Sequence, residues 1–293
     1  MISNLRLRDF PTFIRTTDAD DVMLTINIKQ CELDAPAADG ILLNTYDDLE
    51  RAALDAIRER LPNTFVVGPL GPEVSPPSYL PFLTSSLWKE DGRCIAWLDA
   101  QAADGSVMYV NFGSIVVMTS EQLVEFAWGL AKSGRHFLWI IRPDLVKGDT
   151  AVLPPEFSAE TVERGLVASW CPQQQVLNHP AVGAFLTHAG WSSLMESFLF
   201  GHPLVMLPLF ADQGLTARVM AARGVGLEVP RDERDGSFGR ADLASTVRRV
   251  MAREDEEGKA LARNAREFQE MLCDRARQEE YVDELVEHLR RLP

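Results

Sequence analysis

Two apolar runs, each followed by residues that suit the start of a helix, place the strongest constraint on the fold. The runs are Val182–Thr187 and Pro203–Pro208. Each is about as long as a buried strand, and each ends in turn residues. Buried apolar strands that alternate with helices are typical of a parallel sheet covered on both faces. The sequence therefore predicts consecutive β–α units, with a ligand site at the carboxyl ends of their strands.

The turn after the first run, residues 188–193, carries the chemistry. It reads His-Ala-Gly-Trp-Ser-Ser and leads into a helix. Main-chain N–H groups at a helix N-terminus, with two hydroxyls and an imidazole, favour an anion such as phosphate. Glu196, about one turn further on, is placed to reach hydroxyl groups of the same ligand. From these residues alone another interpretation stays open, in which Ser192 and Ser193 only cap the helix and His188 is a strand-end histidine.

The whole stretch from Trp170 to Gln213 resembles the 44-residue signature box of plant family-1 UDP-glycosyltransferases. The match rests on many fixed spacings, not on one short motif. Two positions depart from the usual pattern, because Ala189 replaces a common Cys and Ser192 replaces a common Asn. The residues that carry the match are Trp170, Pro172, Gln173, His179, Gly183, Phe185, His188, Gly190, Trp191, Ser193, Glu196, Ser197, Gly201, Pro203, Pro208, Asp212 and Gln213.

The resemblance implies a role for each part of the box. Trp170 would stack on the uracil, because a flat base fits an aromatic face, and the main chain of Cys171 would read its edge. Gly190 belongs to the same implied site. The other implied contacts are Gln173 and Glu196 with the ribose, His188, Ser192 and Ser193 with the diphosphate, and Trp191, Asp212 and Gln213 with the sugar hydroxyls.

A second turn is a candidate for phosphate contact. The strand predicted over Ser106–Phe112 ends in Gly113–Ser114, where an amide and a hydroxyl can touch a phosphate. From these residues alone, a plain turn is the alternative. The resemblance places this turn across the cleft from the His188 turn, and Ser114 is therefore included in the predicted UDP-sugar site.

Apolar runs and charge patterns predict the remaining elements. Helices are predicted over Ala241–Ala252 and over Glu256–Arg277, and their alternating charges are interpreted as solvated faces with i to i+4 pairs. A third helix is predicted over Glu279–Leu292. The further predicted strands are Gly40–Thr45, Phe65–Pro69, His136–Ile141, Leu166–Trp170 and Val225–Val229.

Composition excludes several classes of partner. A net charge of −14 on 293 residues argues against nucleic acid and anionic membranes, which need a basic face. No apolar run approaches the length of a membrane span. The four cysteines lack metal-ligand spacing and are interpreted as reduced thiols of a cytoplasmic protein. No Asp-x-Asp pair lies near the box, so we expect no metal and no cofactor besides the UDP-sugar as co-substrate.

By resemblance, the fold class is α/β of the GT-B type. Residues 93–255 would form a complete C-terminal Rossmann-like parallel-sheet domain that binds the UDP-sugar. Residues 1–70 look like a remnant of the N-terminal, acceptor-binding Rossmann-like domain, and residues 71–92 read as a Pro- and Ser-rich linker. Residues 256–293 would be helices that pack back toward the N-terminal part. The family's catalytic His and its orienting Asp have no counterpart here, so the catalytic residues are unknown.

The resemblance implies an inverting transfer of a hexose from a UDP-sugar to a hydroxyl of a small molecule such as a terpenoid, a phenolic or a glycoside. Gln213 implies glucose. One alternative is a UDP-sugar-binding fragment without transfer activity, and another is a GT-B-like epimerase or phosphorylase, against which the box argues. Residues before His188 resemble the branch that glucosylates small aglycones, and those after it resemble the branch that extends glycosides. A recombined chain and an unusual natural branch both explain this change.

Overall fold

The computed structural model describes residues 5–69, 88–148, 151–232 and 234–292. For Arg8, Thr12 and Phe13 it describes the main chain only. The linker predicted over residues 71–92 lies mostly outside the described residues, which include only its last five positions.

A small α/β unit precedes that gap. Two short strands, β1 (Ile41–Leu43) and β2 (Thr64–Val66), pair in parallel. A 3₁₀ turn (Leu7–Asp9) and a π-helical turn (Gln30–Asp34) lie among its four helices. These helices are α1 (Thr12–Arg15), α2 (Val22–Lys29), α3 (Ala35–Ala37) and α4 (Asp47–Arg60). Helix α2 buries none of its eight residues, although five of them are apolar.

Six parallel strands form the larger sheet. Their order across the sheet is β5–β4–β3–β6–β7–β8, so the chain starts in the middle, moves to one edge, and then returns to build the other half. All the strands predicted from the sequence are present, and the run Val182–Thr187 keeps its predicted bounds. The strands are β3 (Val107–Asn111), β4 (His136–Ile140), β5 (Gly165–Ala168), β6 (Val182–Thr187), β7 (Leu204–Met206) and β8 (Gly226–Glu228).

Helices cover both faces of this sheet. Strand β3 shows why, because its alternate residues enter two separate cores: Tyr109 faces one, while Met108 and Val110 face the other. On the Tyr109 side lie α5 (Arg93–Asp99), and then α8 (Gln173–Leu177), α9 (Trp191–Leu199) and α10 (Gln213–Ala222). On the opposite side lie α6 (Ser120–Ser133), α7 (Pro155–Thr161) and α11 (Arg240–Met251).

Local sequence sets the limits of these helices. Helix α6 begins at a capping box, in which the Thr119 hydroxyl accepts from the Gln122 N–H and the Gln122 side chain accepts from the Thr119 N–H. It ends at Gly134, which adopts the left-handed conformation at φ +69°. The helix is therefore fixed at both ends by residues that the sequence shows directly.

The C-terminal helices differ from the prediction. The predicted end of the Glu256–Arg277 helix is wrong, because α12 covers Glu256–Leu272 and the next helix, α13, already begins at Arg275 and covers Arg275–Leu289. The Asp274 side chain accepts from the main-chain N–H of Arg277 at 3.2 Å and so starts a new helix. Helix α13 returns to the small unit, where the Tyr281 hydroxyl accepts from the main-chain N–H of Asp47 at 3.1 Å.

Candidate functional site

The strand order creates a crevice between β3 and β6. The chain leaves these neighbouring strands in opposite directions, so their loops separate at the carboxyl edge of the sheet. The loop after β3 contains Gly113 and Ser114, and the loop after β6 contains His188 and Gly190. The two turns predicted to contact phosphate therefore face each other across this crevice.

The His188 imidazole lies between two glycines, one from each turn. A β-carbon on Gly113 would lie 2.8 Å from its Cε1, and one on Gly190 would clash with its Nε2. Gly113 has φ +67°, which a side chain would make costly. The residue between His188 and Gly190, Ala189, also has a left-handed φ of 65°. The two turns thus fit around the ring, and a strained, non-glycine residue holds it there.

His188 is uncharged at neutral pH. Burial in the crevice lowers its pKa to about 4, and the nearby guanidinium of Arg142 contributes to that shift. Arg142, which follows β4, is almost fully buried and donates to Asp144 and to the main-chain oxygen of Val116. A neutral imidazole still carries one N–H group, which can donate a hydrogen bond to an anionic ligand.

The first turn of α9 tests the alternative interpretation that Ser192 and Ser193 only cap the helix. Helix α9 begins at Trp191, its N-cap is Gly190, and no side chain caps it. Ser192 and Ser193 therefore lie inside the first turn, and the interpretation that they only cap the helix is wrong. The main-chain N–H groups of this turn have no partner within the helix and point out of its N-terminus.

A cavity of about 340 Å³ opens beside this turn. Ser192 and Ser193 lie at one side of it and Trp170, half-buried, at another. Glu196, three residues after Ser193, shares that face of the helix and lines the same space. The predicted site residues that line the cavity are Ser114, Trp170, Cys171, Gln173, Ser192, Ser193 and Glu196.

Three predicted sugar-binding residues lie outside this cavity. The Trp191 indole donates to the main-chain oxygen of Asn44 at 2.8 Å and so ties α9 to the small unit. Gln213 is buried, and its side-chain oxygen accepts from the main-chain N–H groups of Leu209 and Phe210. Asp212 is exposed at the start of α10. Trp191 follows β6, and Asp212 and Gln213 follow β7. His188 and Gly190, in the turn after β6, do not line the cavity either.

Two further side chains support the cavity without having been predicted: Asn111 lines it, and Tyr109 is fully buried beside Asn111. Tyr109 and Asn111 lie in β3, and both donate to the side-chain oxygen of Gln173, Tyr109 at 2.8 Å. The Gln173 side-chain nitrogen in turn donates to Glu196. A Tyr and an Asn with alternate spacing at the end of a buried strand were the available signal, since polar atoms in a buried strand need partners.

Two effects act in opposite directions on the pKa of the Glu196 carboxyl group. Burial raises its pKa, while the hydrogen bond from Gln173 acts to lower it. Gln173 donates to one carboxylate oxygen of Glu196, and the Glu196 side chain lines the cavity. Such a group accepts hydrogen bonds from neighbouring hydroxyls of a ligand.

The combined arrangement fits a ligand with three parts. A half-buried indole suits a flat ring, a carboxylate suits hydroxyl groups, and a helix N-terminus with two serines suits an anion. Among the described residues, no three His, Cys, Asp or Glu side chains are grouped to hold a metal ion. None of the helices in the described ranges combines the length and hydropathy that a bilayer crossing requires.

Comparison with known proteins gives concordant matches. The model of the family described as UDP-glucoronosyl and UDP-glucosyl transferase matches residues 65–263. UDP-glycosyltransferase 85A1 of Arabidopsis thaliana is 45% identical over 275 residues, which are 92% of this chain and 54% of that protein. (R)-mandelonitrile beta-glucosyltransferase of Prunus dulcis is 46% identical over 278 residues, 93% of this chain and 56% of that protein.

Solved structures agree with these matches. Os79 from O. sativa, crystallised in complex with UDP, superposes with a TM-score of 0.82 at 26% identity, covering 97% of this chain and 63% of that one. UGT2 of Phytolacca americana, complexed with UDP-2fluoro-glucose and pterostilbene, gives 0.77 at 31% identity, covering 96% and 60%. The chain spans about half the length of the curated relatives that it matches.

Proposed function

We propose a sugar-transfer role for this chain, which belongs to the UDP-glucoronosyl and UDP-glucosyl transferase family. It binds a UDP-sugar in the crevice between β3 and β6 and takes part in moving the hexose to a hydroxyl of a small molecule. The observation that carries the proposal is the single cavity that joins Trp170, Glu196 and Ser193. Its three kinds of group match the base, the ribose and the diphosphate of a uridine diphosphate.

Each part of the ligand has a proposed partner. The uracil stacks on Trp170, with the main chain of Cys171 at its edge. Ser114 and Gly190 complete the two turns that enclose the phosphates. The remaining partners are Gln173 and Glu196 for the ribose, His188, Ser192 and Ser193 for the diphosphate, and Asp212, Gln213 and the main chain at Trp191 for the sugar.

The reaction is a single inverting displacement. A base removes the proton of the acceptor hydroxyl as its oxygen attacks the anomeric carbon, and the bond from that carbon to the UDP oxygen breaks. Negative charge grows on the departing diphosphate, where the N-terminus of α9 and the neutral His188 supply hydrogen-bond donors. These donors perform the task that a metal ion performs elsewhere, so we propose transfer without a metal or other cofactor. We assign no catalytic base.

The acceptor and sugar follow from the relatives and from the box. Relatives are named for glucosylation of mandelonitrile and of 7-deoxyloganetin, the second from Catharanthus roseus. We propose a hydroxyl-bearing small molecule of the terpenoid, phenolic or glycoside class as acceptor, and glucose as the sugar because of Gln213. All four cysteines are free thiols, which supports the cytoplasm as the compartment.

We also propose a division of labour along the chain. Residues 93–255 form the UDP-sugar-binding domain, and residues 1–70 belong to the acceptor side. The helices of residues 256–293 link the two, since Tyr281 contacts the main chain at Asp47 and the His288 ring bonds to the Asp39 oxygen at 2.8 Å.

Two measurements made side by side test the proposal. Calorimetry with UDP measures binding, and transfer of labelled glucose from UDP-glucose to a panel of small alcohols measures activity. Binding with transfer supports the proposed function, whereas binding without transfer supports the alternative of a UDP-sugar-binding module. No binding at millimolar UDP removes both.

A pair of serine variants in one helix makes the binding test specific. Ser193→Ala removes a hydroxyl from the cavity and should weaken UDP binding by roughly 3- to 10-fold, the usual worth of a single hydrogen bond. Ser197→Ala, one turn further along α9, removes a hydroxyl that is buried away from the cavity and faces the His202 oxygen. It should leave UDP affinity unchanged, and equal effects of the two changes would contradict the assignment of the α9 N-terminus.

A further inference from the structure

The orientation of the Gln173 side chain is set from below the cavity. Its amide oxygen accepts from the Tyr109 hydroxyl at 2.8 Å and from the Asn111 side-chain nitrogen at 2.5 Å. Because both donors meet the oxygen, the amide nitrogen must point the other way. There it donates to one carboxylate oxygen of Glu196.

Asn111 is the centre of this network. Its side-chain oxygen accepts from the main-chain N–H of Gly113 at 2.9 Å. Its side-chain nitrogen donates to the Tyr109 hydroxyl at 2.9 Å as well as to Gln173. One amide therefore connects the turn that carries Ser114 with the side chain that holds Glu196. Asn111 is the last residue of β3, at the point where the sheet reverses its winding.

Packing alone does not account for these polar groups. Met108 and Val110, their neighbours in β3, are fully buried and apolar, and the Tyr109 ring already stacks on Phe185 with centroids 5.0 Å apart. A buried polar chain is costly unless every member is satisfied. This one is satisfied, and it ends on a carboxylate that faces the cavity.

We propose that Asn111 and Tyr109 are positioning residues for nucleotide binding, which act through Gln173 to aim the Glu196 carboxylate at the ribose hydroxyls. The proposal rests on the function proposed above, and it names two residues that contact the ligand only indirectly. With Gln173 fixed, Glu196 meets the hydroxyls in one orientation. Without the two donors beneath it, the Gln173 amide oxygen loses the contacts that fix it, and the amide nitrogen is no longer held in place against the Glu196 carboxylate.

Asn111→Asp is the most direct test. The change keeps the shape and the acceptor for Gly113 but replaces the donor toward Gln173 with an acceptor. UDP and 2′,3′-dideoxyuridine diphosphate are the two ligands, and the measured quantity is the ratio of their affinities. A hydrogen-bonded carboxylate should give the unmodified protein a preference for UDP of roughly 10- to 100-fold. Asn111→Asp should reduce that preference at least about fivefold, by weakening UDP rather than the dideoxy ligand.

A matched control exists at the far side of the domain. Asn264 also donates its side-chain nitrogen, to the Gly224 main-chain oxygen at 2.9 Å, where α12 meets the chain before β8. Asn264→Asp makes the same chemical change away from the cavity and should leave the ratio unchanged. If Asn111→Asp weakens both ligands equally, its role is structural and the proposal is overturned.

Two further variants keep the proposal open to refutation if Asn111→Asp folds poorly. Tyr109→Phe keeps the ring that stacks on Phe185 and removes only the hydroxyl, so it should lower the preference by a smaller factor. In a Gln173→Leu background, neither Tyr109→Phe nor Asn111→Asp should lower it further, because both act through Gln173. If either change lowers the preference for UDP in the Gln173→Leu background by the same factor as in the unmodified protein, the proposal is overturned.

The outcomes also separate this inference from the proposed function. If the unmodified protein fails to bind UDP, the function itself is wrong. If it binds UDP and prefers it over the dideoxy ligand, while Asn111→Asp and Tyr109→Phe keep that preference, only the positioning role is wrong.

Discussion

Replacement of His188 gives a prediction whose size follows from the structure. The pKa of this imidazole is lowered to about 4, first by burial and then by Arg142, whereas the unfolded chain has the ordinary value of 6.5. Between these two values the unfolded state binds a proton that the folded state does not. The folded protein therefore loses stability as the pH falls below 6.5. The stability that comes from keeping His188 neutral is fully present only above that pH.

The magnitude can be worked out at one convenient pH. At pH 5.5, one unit below the unfolded value, the expected loss from His188 is about 1.4 kcal/mol of the free energy of unfolding. That pH stays above the isoelectric point of about 4.8, which limits precipitation. His188→Asn removes the titrating group. The fall in unfolding free energy between pH 7.5 and pH 5.5 should therefore be smaller in the variant by about 1.4 kcal/mol.

Urea unfolding followed by tryptophan fluorescence at the two pH values measures this difference. Thr187→Val is the control, because it removes the hydroxyl 3.4 Å from the His188 ring but keeps the imidazole, its burial and Arg142. The control should keep the pH dependence of the unmodified protein. If His188→Asn shows the same pH dependence as Thr187→Val, His188 is not buried in neutral form, and the account of a neutral donor in the crevice is refuted.

Three other changes have defined outcomes. Gly190→Ala places a methyl group against the His188 ring and should weaken UDP binding more than tenfold by calorimetry, with unchanged binding as the contrary result. Ellman's reagent should modify the two exposed cysteines rapidly, but Cys94 and Cys171 only after denaturation. The physical reason is burial, which raises the pKa of the Cys171 thiol to about 12. Rapid modification of all four thiols in the folded protein would contradict this prediction. Tyr281→Phe leaves a buried main-chain N–H at the start of α4 unpaired and should cost roughly 1–3 kcal/mol by urea unfolding, whereas no loss would mean that water replaces the hydroxyl.

Much of the architecture could be predicted because its signals are local. Apolar runs such as Val182–Thr187 end at turn residues, and a parallel sheet follows from their alternation with helices. The α/β fold class of GT-B type is confirmed by the match to Os79 and UGT2 over nearly the whole chain. Domain limits and the roles of the site residues stay predictions.

The side-chain network could not be predicted in the same way. Asn111 and Gln173 are 62 positions apart, and only the folded sheet brings their amides together. The link between Trp191 and Asn44, 147 positions apart, is hidden from the sequence for the same reason. The start of α13 was missed because an isolated Asp274 within a charged segment looks like any other solvated residue.

Two alanines with a left-handed backbone have a consequence for protein engineering: Ala189 lies in the His188 turn, and Ala211 lies in the loop between β7 and α10. Ala189 and Ala211 have φ of 65° and 54°, in a region that costs a residue with a β-carbon about 1–2 kcal/mol. Glycine would remove that cost, but it would also raise the conformational entropy of the unfolded chain, which lowers the free energy of unfolding by roughly 0.4–1 kcal/mol. A thermostability screen should therefore find modest gains at both positions, provided that the rigidity lost from the turns does not reduce turnover.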